Sequence, residues 1–121
     1  MRGGSTLIKA IRGAITVEND TVEEITSNTQ ELLKTLIERN QLDIEKIINI
    51  SFTATVDLKS AYPAKAAREL GLVDTPMLCY QEMYVKGALE KCIRALILVE
   101  DKEEVSHVYL KKAKSLRPDL N

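Results

Sequence analysis

Lys91-Cys92-Ile93-Arg94-Ala95-Leu96-Ile97-Leu98-Val99 is short, rich in branched aliphatic residues and apolar at both parities of a period-2 reading. That pattern belongs to a strand covered on both faces, and so to a sheet with material packed on either side. Arg94 falls inside it, sharing a face with Cys92, Leu96 and Leu98. A guanidinium keeps its charge in a protein, and an unpaired buried charge is very costly. Arg94 therefore demands an acceptor. An internal carboxylate, with Glu82 the candidate, would satisfy it, as would the wet end of the strand or an anionic ligand.

Working outward, the chain of 121 residues has the length of one domain. Residues 1–6 read as a flexible N-terminus and 7–121 as a single domain. Seventeen basic and eighteen acidic residues leave a net charge of −1. With no basic cluster interleaved with aromatics, the sequence argues against nucleic acid as a partner. Phe52 and four tyrosines are the only aromatics, so aliphatic side chains must build the core. Cys79 and Cys92 lie in apolar segments, where cysteine behaves as a small hydrophobe, and they fall short of the four ligands a structural zinc wants. No signal peptide or membrane-length apolar run is present, and a reduced cytoplasmic setting follows.

Leu7 to Val17 reads as a first strand, apolar on both faces through Ile11, that ends at Arg12-Gly13, the glycine permitting a bulge or a close backbone approach and Arg12 closing the strand. Asp20 is expected to cap a helix, with Glu23 in the reciprocal position. Val22, Ile25, Thr29, Leu32, Leu33, Leu36 and Ile37 form its apolar stripe and Asn40 its stop. Ile47 to Thr53 is a second strand, Ile48, Ile50 and Phe52 facing one way and Ile47, Asn49, Ser51 and Thr53 the other. Pro63 starts a short helix over 64–70 that Gly71 ends, with Lys65 and Arg68 projecting from one side. Met77 to about Gln81 is a third strand. Cys79 and Glu82 have opposite parity, so if both face one pocket, either the strand breaks near Gln81 or Cys79 contributes its backbone. A short connection joins Glu82 to the Arg94 strand, as if the two were neighbours across an antiparallel pair. The segment after Val105 fits helical spacing and, around His107 to Leu110, a strand as well. His107 has no partner visible in the sequence.

The chain lacks a Ser/His/Asp set, a GxSxG elbow and glycine-rich phosphate or dinucleotide loops. No cofactor and no metal is expected. What remains is Arg12, Arg68 and Arg94 with Glu82 and some tyrosines, which suits holding a small dianion without proton shuttling.

Six stretches, in order and at fitting spacings, resemble the trimeric α/β chorismate mutases: Ile11-Arg12-Gly13-Ala14, Tyr62 to Leu70, Gln81-Glu82-Met83, Lys91 to Arg94, His107 to Leu110, and Leu116 to Leu120. The resemblance spans about residues 8 to 120. It implies an α/β fold with a ferredoxin-like mixed sheet, helices on one side, and a homotrimeric pseudo-barrel with active sites at the subunit interfaces. It also implies a strand near His107 to Leu116.

The implied reaction is the intramolecular Claisen rearrangement of chorismate to prephenate, on the route to phenylalanine and tyrosine. Such a reaction asks the protein to hold a near-attack conformer and to stabilise charge on the breaking ether oxygen. By the family pattern Arg94 donates to that oxygen, while Glu82 binds the substrate hydroxyl and positions Arg94. Arg12 and Tyr109 bind a carboxylate. Cys79 lines the pocket, with Leu78, Tyr80 and Gln81 of its strand alongside. Tyr62, Ala64, Lys65, Arg68 and Leu116 come from the neighbouring subunit.

Leu78 stands where the family often has a threonine, and Tyr62 where it often has phenylalanine. The chain stops after Leu120-Asn121 without the tail that some members carry over the site, so closure of the pocket is expected to differ. Two rival readings use the same cations: a trimeric enamine/imine deaminase, which the ordered motifs fit poorly, and a non-catalytic module that binds an aromatic precursor.

Overall fold

The computed structural model describes residues 7–120, so the expected flexible stretch 1–6 lies outside the described residues. Five strands form one mixed sheet: β1 (Ile8–Thr16), β2 (Ile47–Ala54), β3 (Met77–Gln81), β4 (Cys92–Glu100) and β5 (Val108–Tyr109). Their spatial order is β3-β2-β4-β1-β5. β4 runs antiparallel to both neighbours, whereas the outer pairs β2/β3 and β1/β5 are parallel. The stretch that opened the sequence reading is thus the central strand. Ile93, Ile97 and Val99 are fully buried on its core face.

Two helices, α1 (Val22–Arg39) and α2 (Pro63–Leu70), cover that core face. Ile25, Leu32, Leu33 and Leu36 of α1 and Ala64 and Ala67 of α2 pack with Ile11, Ile15, Ile50, Phe52 and the inward residues of β4. Each fully buried Leu, Ile or Phe contributes roughly 1.5–3 kcal/mol, so this layer holds the domain together. Val22, at the head of the expected stripe, stays outside the core at 47% exposure. The helix cap falls one residue later than Asp20: Thr21 Oγ1 accepts from the Glu24 N–H, and Glu24 reaches back to the N–H groups of Glu18 and Asn19. Asp20 instead takes the N–H groups of Lys59 and Ser60, tying the loop before α2 to the start of α1.

Three further expectations are corrected. β1 runs past Arg12-Gly13 to Thr16 in unbroken register with β4, so Arg12 is mid-strand and exposed. Gly13 serves close approach, with no bulge: a Cβ there would lie 2.8 Å from Leu36 Cδ1. The irregularity sits in β2, between Ile47 and Asn49, and it turns Ile47 onto the core face with Ile50 and Phe52. The strand near His107 is only two residues long, and Lys111–Leu116 is a 3₁₀-helix; helical spacing was therefore a fair reading of that part.

The other sheet face carries Cys92, Arg94, Leu96 and Leu98 with their cross-strand partners Thr16, Ala14, Arg12 and Ala10. The 3₁₀-helix covers one end of it through Ala113 and Leu116, which pack with Ala14, Cys92 and Tyr109. The rest is open, with Ile8, Leu78, Tyr80 and Leu96 at 56%, 62%, 51% and 39% exposure. Among the described residues no helix is long and apolar enough to cross a membrane.

Candidate active site

Strand register alone assembles the centre of the open face. Thr53 of β2 and Ala14 of β1 flank Arg94 of β4, Tyr80 of β3 lies beyond Thr53, and Tyr109 of β5 lies beyond Ala14. One row therefore crosses all five strands, with neighbouring backbones about 4.8 Å apart. Arg12 stands on the same face, opposite Leu96.

Glu82 joins this row from the end of β3. Its N–H donates to the Ala54 carbonyl at 2.8 Å, which carries the parallel β2/β3 pairing one residue beyond Gln81. β3 ends at Gln81; alternation along it places Leu78 and Tyr80 on the open face and Cys79 and Gln81 on the opposite one, while Glu82, just past its end, turns its side chain to Thr53 and Arg94 on the open face. Cys79 is half-buried and packs against the core. Glu82 and Arg94 are not on adjacent strands, as the short connection had suggested. β2 runs between them, and their side chains meet across Thr53.

Arg94 Nε lies 3.3 Å from Glu82 Oε1 in an ion pair. Nε itself is buried and makes no hydrogen bond, the 3.3 Å contact being close in distance and poor in angle. The same Glu82 oxygen accepts the Thr53 hydroxyl at 2.5 Å. Cys92, two residues before Arg94, is buried, and burial pushes its thiol up to about 11 against the pull of the Arg94 charge. It is a neutral neighbour that the guanidinium cannot ionise at ordinary pH.

The start of β4 is pinned by side chains the sequence reading did not single out. Asp57 accepts the Lys91 N–H on both carboxylate oxygens, at 3.2 and 3.0 Å. Thr55 Oγ1 accepts the Cys92 N–H at 3.0 Å and donates to Asp57 Oδ1. Lys91 needs that support because its φ is +48°, a region costly for a residue with a Cβ. On β1, the Arg12 N–H donates to His107 Nδ1 at 2.9 Å, so the lone histidine does have a partner. Burial, then the charges of Arg12 and Arg117, hold its pKa below the ordinary value. In sequence, His107 and Arg12 are 95 residues apart, and no local pattern connects them.

Two cavities meet at Thr55 and Val56. One, of about 350 Å³, is lined by Arg94 and Glu82 with Asp57, Met83, Tyr84, Val85 and Leu89 among others. The other, of about 430 Å³, is lined by Tyr62, Pro63, Cys79, Tyr80, Gln81 and the segments 54–56 and 58–61. The expected site residues thus fall into two groups within one chain. Arg94, Glu82, Arg12, Tyr109 and Leu116 belong to the open sheet face and its 3₁₀-helix. Tyr62 and Cys79 share the second cavity, beside α2, where Lys65 and Arg68 are exposed and Ala64 is buried. Within one chain, Leu116 packs with Tyr109, and Cys79 and Tyr62 line the same cavity. Leu78 is exposed on the open face opposite Ser51 and has no hydroxyl to offer.

Residues 8–120 match the family described as chorismate mutase type I. The chain is 46% identical over 119 residues to the chorismate mutase AroH of Bacillus subtilis, covering 95% of this chain and 94% of that one. It is 45% identical over 118 residues to the chorismate mutase AroH of Thermus thermophilus, covering 94% and 97%. A solved chorismate mutase from Clostridium thermocellum superposes with a TM-score of 0.85 at 48% identity, over 88% of this chain and 98% of that chain.

Proposed function

The chain belongs to the chorismate mutase type I family, and from that premise we propose how its residues share the work. It is an isomerase that converts chorismate to prephenate in aromatic amino acid biosynthesis. In that rearrangement an ether carbon–oxygen bond breaks while a carbon–carbon bond forms within one molecule. No proton leaves and no nucleophile enters. The protein's task is to hold a reactive conformer and to meet the negative charge that grows on the ether oxygen.

Arg94 is the donor to that oxygen. The observation that carries this assignment is its guanidinium on the open sheet face, 3.3 Å from Glu82 and lining the 350 Å³ cavity. Its charge is permanent and its strand rigid, so little reorganisation is needed as the bond breaks. Removing one such donor typically costs about 3–4 kcal/mol of transition-state stabilisation. Glu82 takes the substrate hydroxyl and steadies Arg94. Arg12 and Tyr109 hold a carboxylate.

We assign the complementary wall to a second copy of the chain. Tyr62 and Cys79 line a cavity separate from that of Arg94, Lys65 and Arg68 are exposed on the helix that Pro63 begins, and the apolar open face around Leu78, Tyr80 and Leu96 calls for cover. A homotrimer closing these faces into a pseudo-barrel, with one site per interface, satisfies both. Lys65 and Arg68 then add positive potential for a dianion, and Ala64, Leu78, Tyr80, Gln81 and Leu116 shape the walls. The two free cysteines fit a reducing, cytoplasmic setting.

The test follows chorismate loss by ultraviolet absorbance, for the protein and for Arg94→Ala. Arg94→Ala is expected to lower kcat by a factor of about a hundred or more. Turnover by Arg94→Ala equal to that of the unsubstituted protein would overturn the assignment.

A further inference from the structure

We propose that Thr53 is a positioning residue for this reaction: its hydroxyl fixes the Glu82 oxygen against which Arg94 is aimed. The inference rests on the site reading above. Three observations carry it. Thr53 lies directly opposite Arg94 in the β2/β4 register, and its Oγ1 donates to Glu82 Oε1 at 2.5 Å. The buried Nε of Arg94 makes no hydrogen bond among the described residues, and it forms its ion pair with that same oxygen, 3.3 Å away. Where Oε1 sits therefore bears directly on where the guanidinium points.

Among the described residues the Glu82 carboxylate has no other hydrogen bond or ion pair. Among the described residues both of its side-chain contacts fall on Oε1, which leaves Oε2 for the substrate hydroxyl. A carboxylate on a short stem would otherwise rotate among several orientations. A hydroxyl donor on the intervening strand selects one of them, and the bond to a charged acceptor is stronger than a neutral one. Because this geometry exists before substrate arrives, it acts on the transition state more than on binding. The consequence is a loss that appears in kcat.

The experiment compares Thr53→Val, which keeps the branched shape and removes the hydroxyl, with Thr53→Ser, which keeps the hydroxyl. Kinetics are measured on the full chain together with Glu82→Gln, Arg94→Ala and the Thr53→Val/Glu82→Gln double variant. Thr53→Val is expected to lower kcat about tenfold with a smaller change in KM, as the loss of one hydrogen bond to a charged group would. Thr53→Ser should recover most of that, and the double variant should be no worse than Glu82→Gln alone. If Thr53→Val does not fold, Thr53→Ala serves in its place. Unchanged kcat in the hydroxyl-free variant, equal impairment of Thr53→Ser, or fully additive losses would each overturn the role of Thr53. Full activity in Arg94→Ala overturns the site reading and this inference together, whereas loss in Arg94→Ala with none in Thr53→Val overturns this inference alone.

Discussion

The main-chain N–H of Arg12 donates to the side chain of His107, at 2.9 Å from Nδ1. This bond requires an unprotonated Nδ1. It also ties the strand that presents Arg12 to the segment leading into Tyr109, two residues proposed to share a substrate carboxylate. Burial, then the charges of Arg12 and Arg117, lower the His107 pKa in the folded protein, whereas the unfolded chain titrates near the ordinary value of about 6.5. The unfolded state therefore binds the proton more readily. The stability His107 contributes is complete above about pH 6.5 and is lost as pH falls from there through the lower folded value. Thermal unfolding midpoints measured from pH 8 to pH 5 should show this fall, and His107→Asn, which keeps an acceptor and does not titrate, should remove that part of it. His107→Ala should cost about 0.5–1.5 kcal/mol at pH 8 through the lost acceptor.

Asp57 and Lys91 make a second prediction. The Lys91 N–H bonds to Asp57 hold a φ of +48° at the entry to β4. Asp57→Ala leaves that N–H and the Thr55 hydroxyl without their acceptor and should destabilise the protein by about 1–3 kcal/mol. Glycine tolerates positive φ, so Lys91→Gly in the Asp57→Ala background should restore part of the loss. Urea unfolding midpoints of the two variants would decide it. A midpoint for Asp57→Ala equal to that of the unsubstituted protein would remove Asp57 from the account of how Arg94 is placed.

Local patterns in the sequence revealed most of the elements, while the features they missed depend on long-range geometry. The existence of the Cys92–Glu100 strand, the α1 stripe from Ile25 to Leu36 and the Pro63-to-Gly71 limits of α2 follow from residue spacing and backbone preference, although one face of that strand is left open and Val22 stays outside the core. The Arg94–Glu82 pair was legible because an arginine inside an apolar strand demands an acceptor, with Glu82 the candidate; in the fold the side chain is 43% exposed and only its Nε is buried. That β2 runs between them was not, since strand order depends on how distant segments pair. The β2 irregularity reversed the side of Ile47 for the same reason: a single inserted residue shifts parity without leaving a compositional mark. The sequence puts Thr53 on the correct face of β2, yet only the register opposite Arg94 and the main-chain bond that holds Glu82 to Ala54 just past β3 give its hydroxyl a purpose.

Gly13 is a position where one methyl group matters. A Cβ there would lie 2.8 Å from Leu36 Cδ1 and 3.1 Å from Leu32 Cδ1, both on fully buried side chains that α1 presents to the sheet. Gly13→Ala must push α1 outward or force a leucine off its rotamer, at a cost of about 1–3 kcal/mol. Leu36→Ala alone should also destabilise, by about 2–5 kcal/mol, through the cavity it leaves. In the double variant the new methyl occupies part of that cavity, so the combined loss should be smaller than the sum. Chemical unfolding of the four proteins forms a double-mutant cycle, and strict additivity would contradict the steric reading.

Leu96 sits on the open sheet face between Arg12 of β1 and Ser51 of β2, at 39% exposure. In one chain alone a charge there would meet water and cost little, since its side chain is not needed by the core that the helices cover. In the proposed trimer the same position is buried against another copy, and a lysine would bring an unpaired charge into an apolar contact. Leu96→Lys should therefore leave the fold intact by circular dichroism while shifting the particle toward monomer in sedimentation. Turnover should fall with assembly if the walls around Tyr62 and Arg94 come from different copies, and raising the protein concentration should recover part of it by mass action. Full activity in a particle the size of one chain would show that a single copy holds a complete site, and the two-copy arrangement would have to be abandoned.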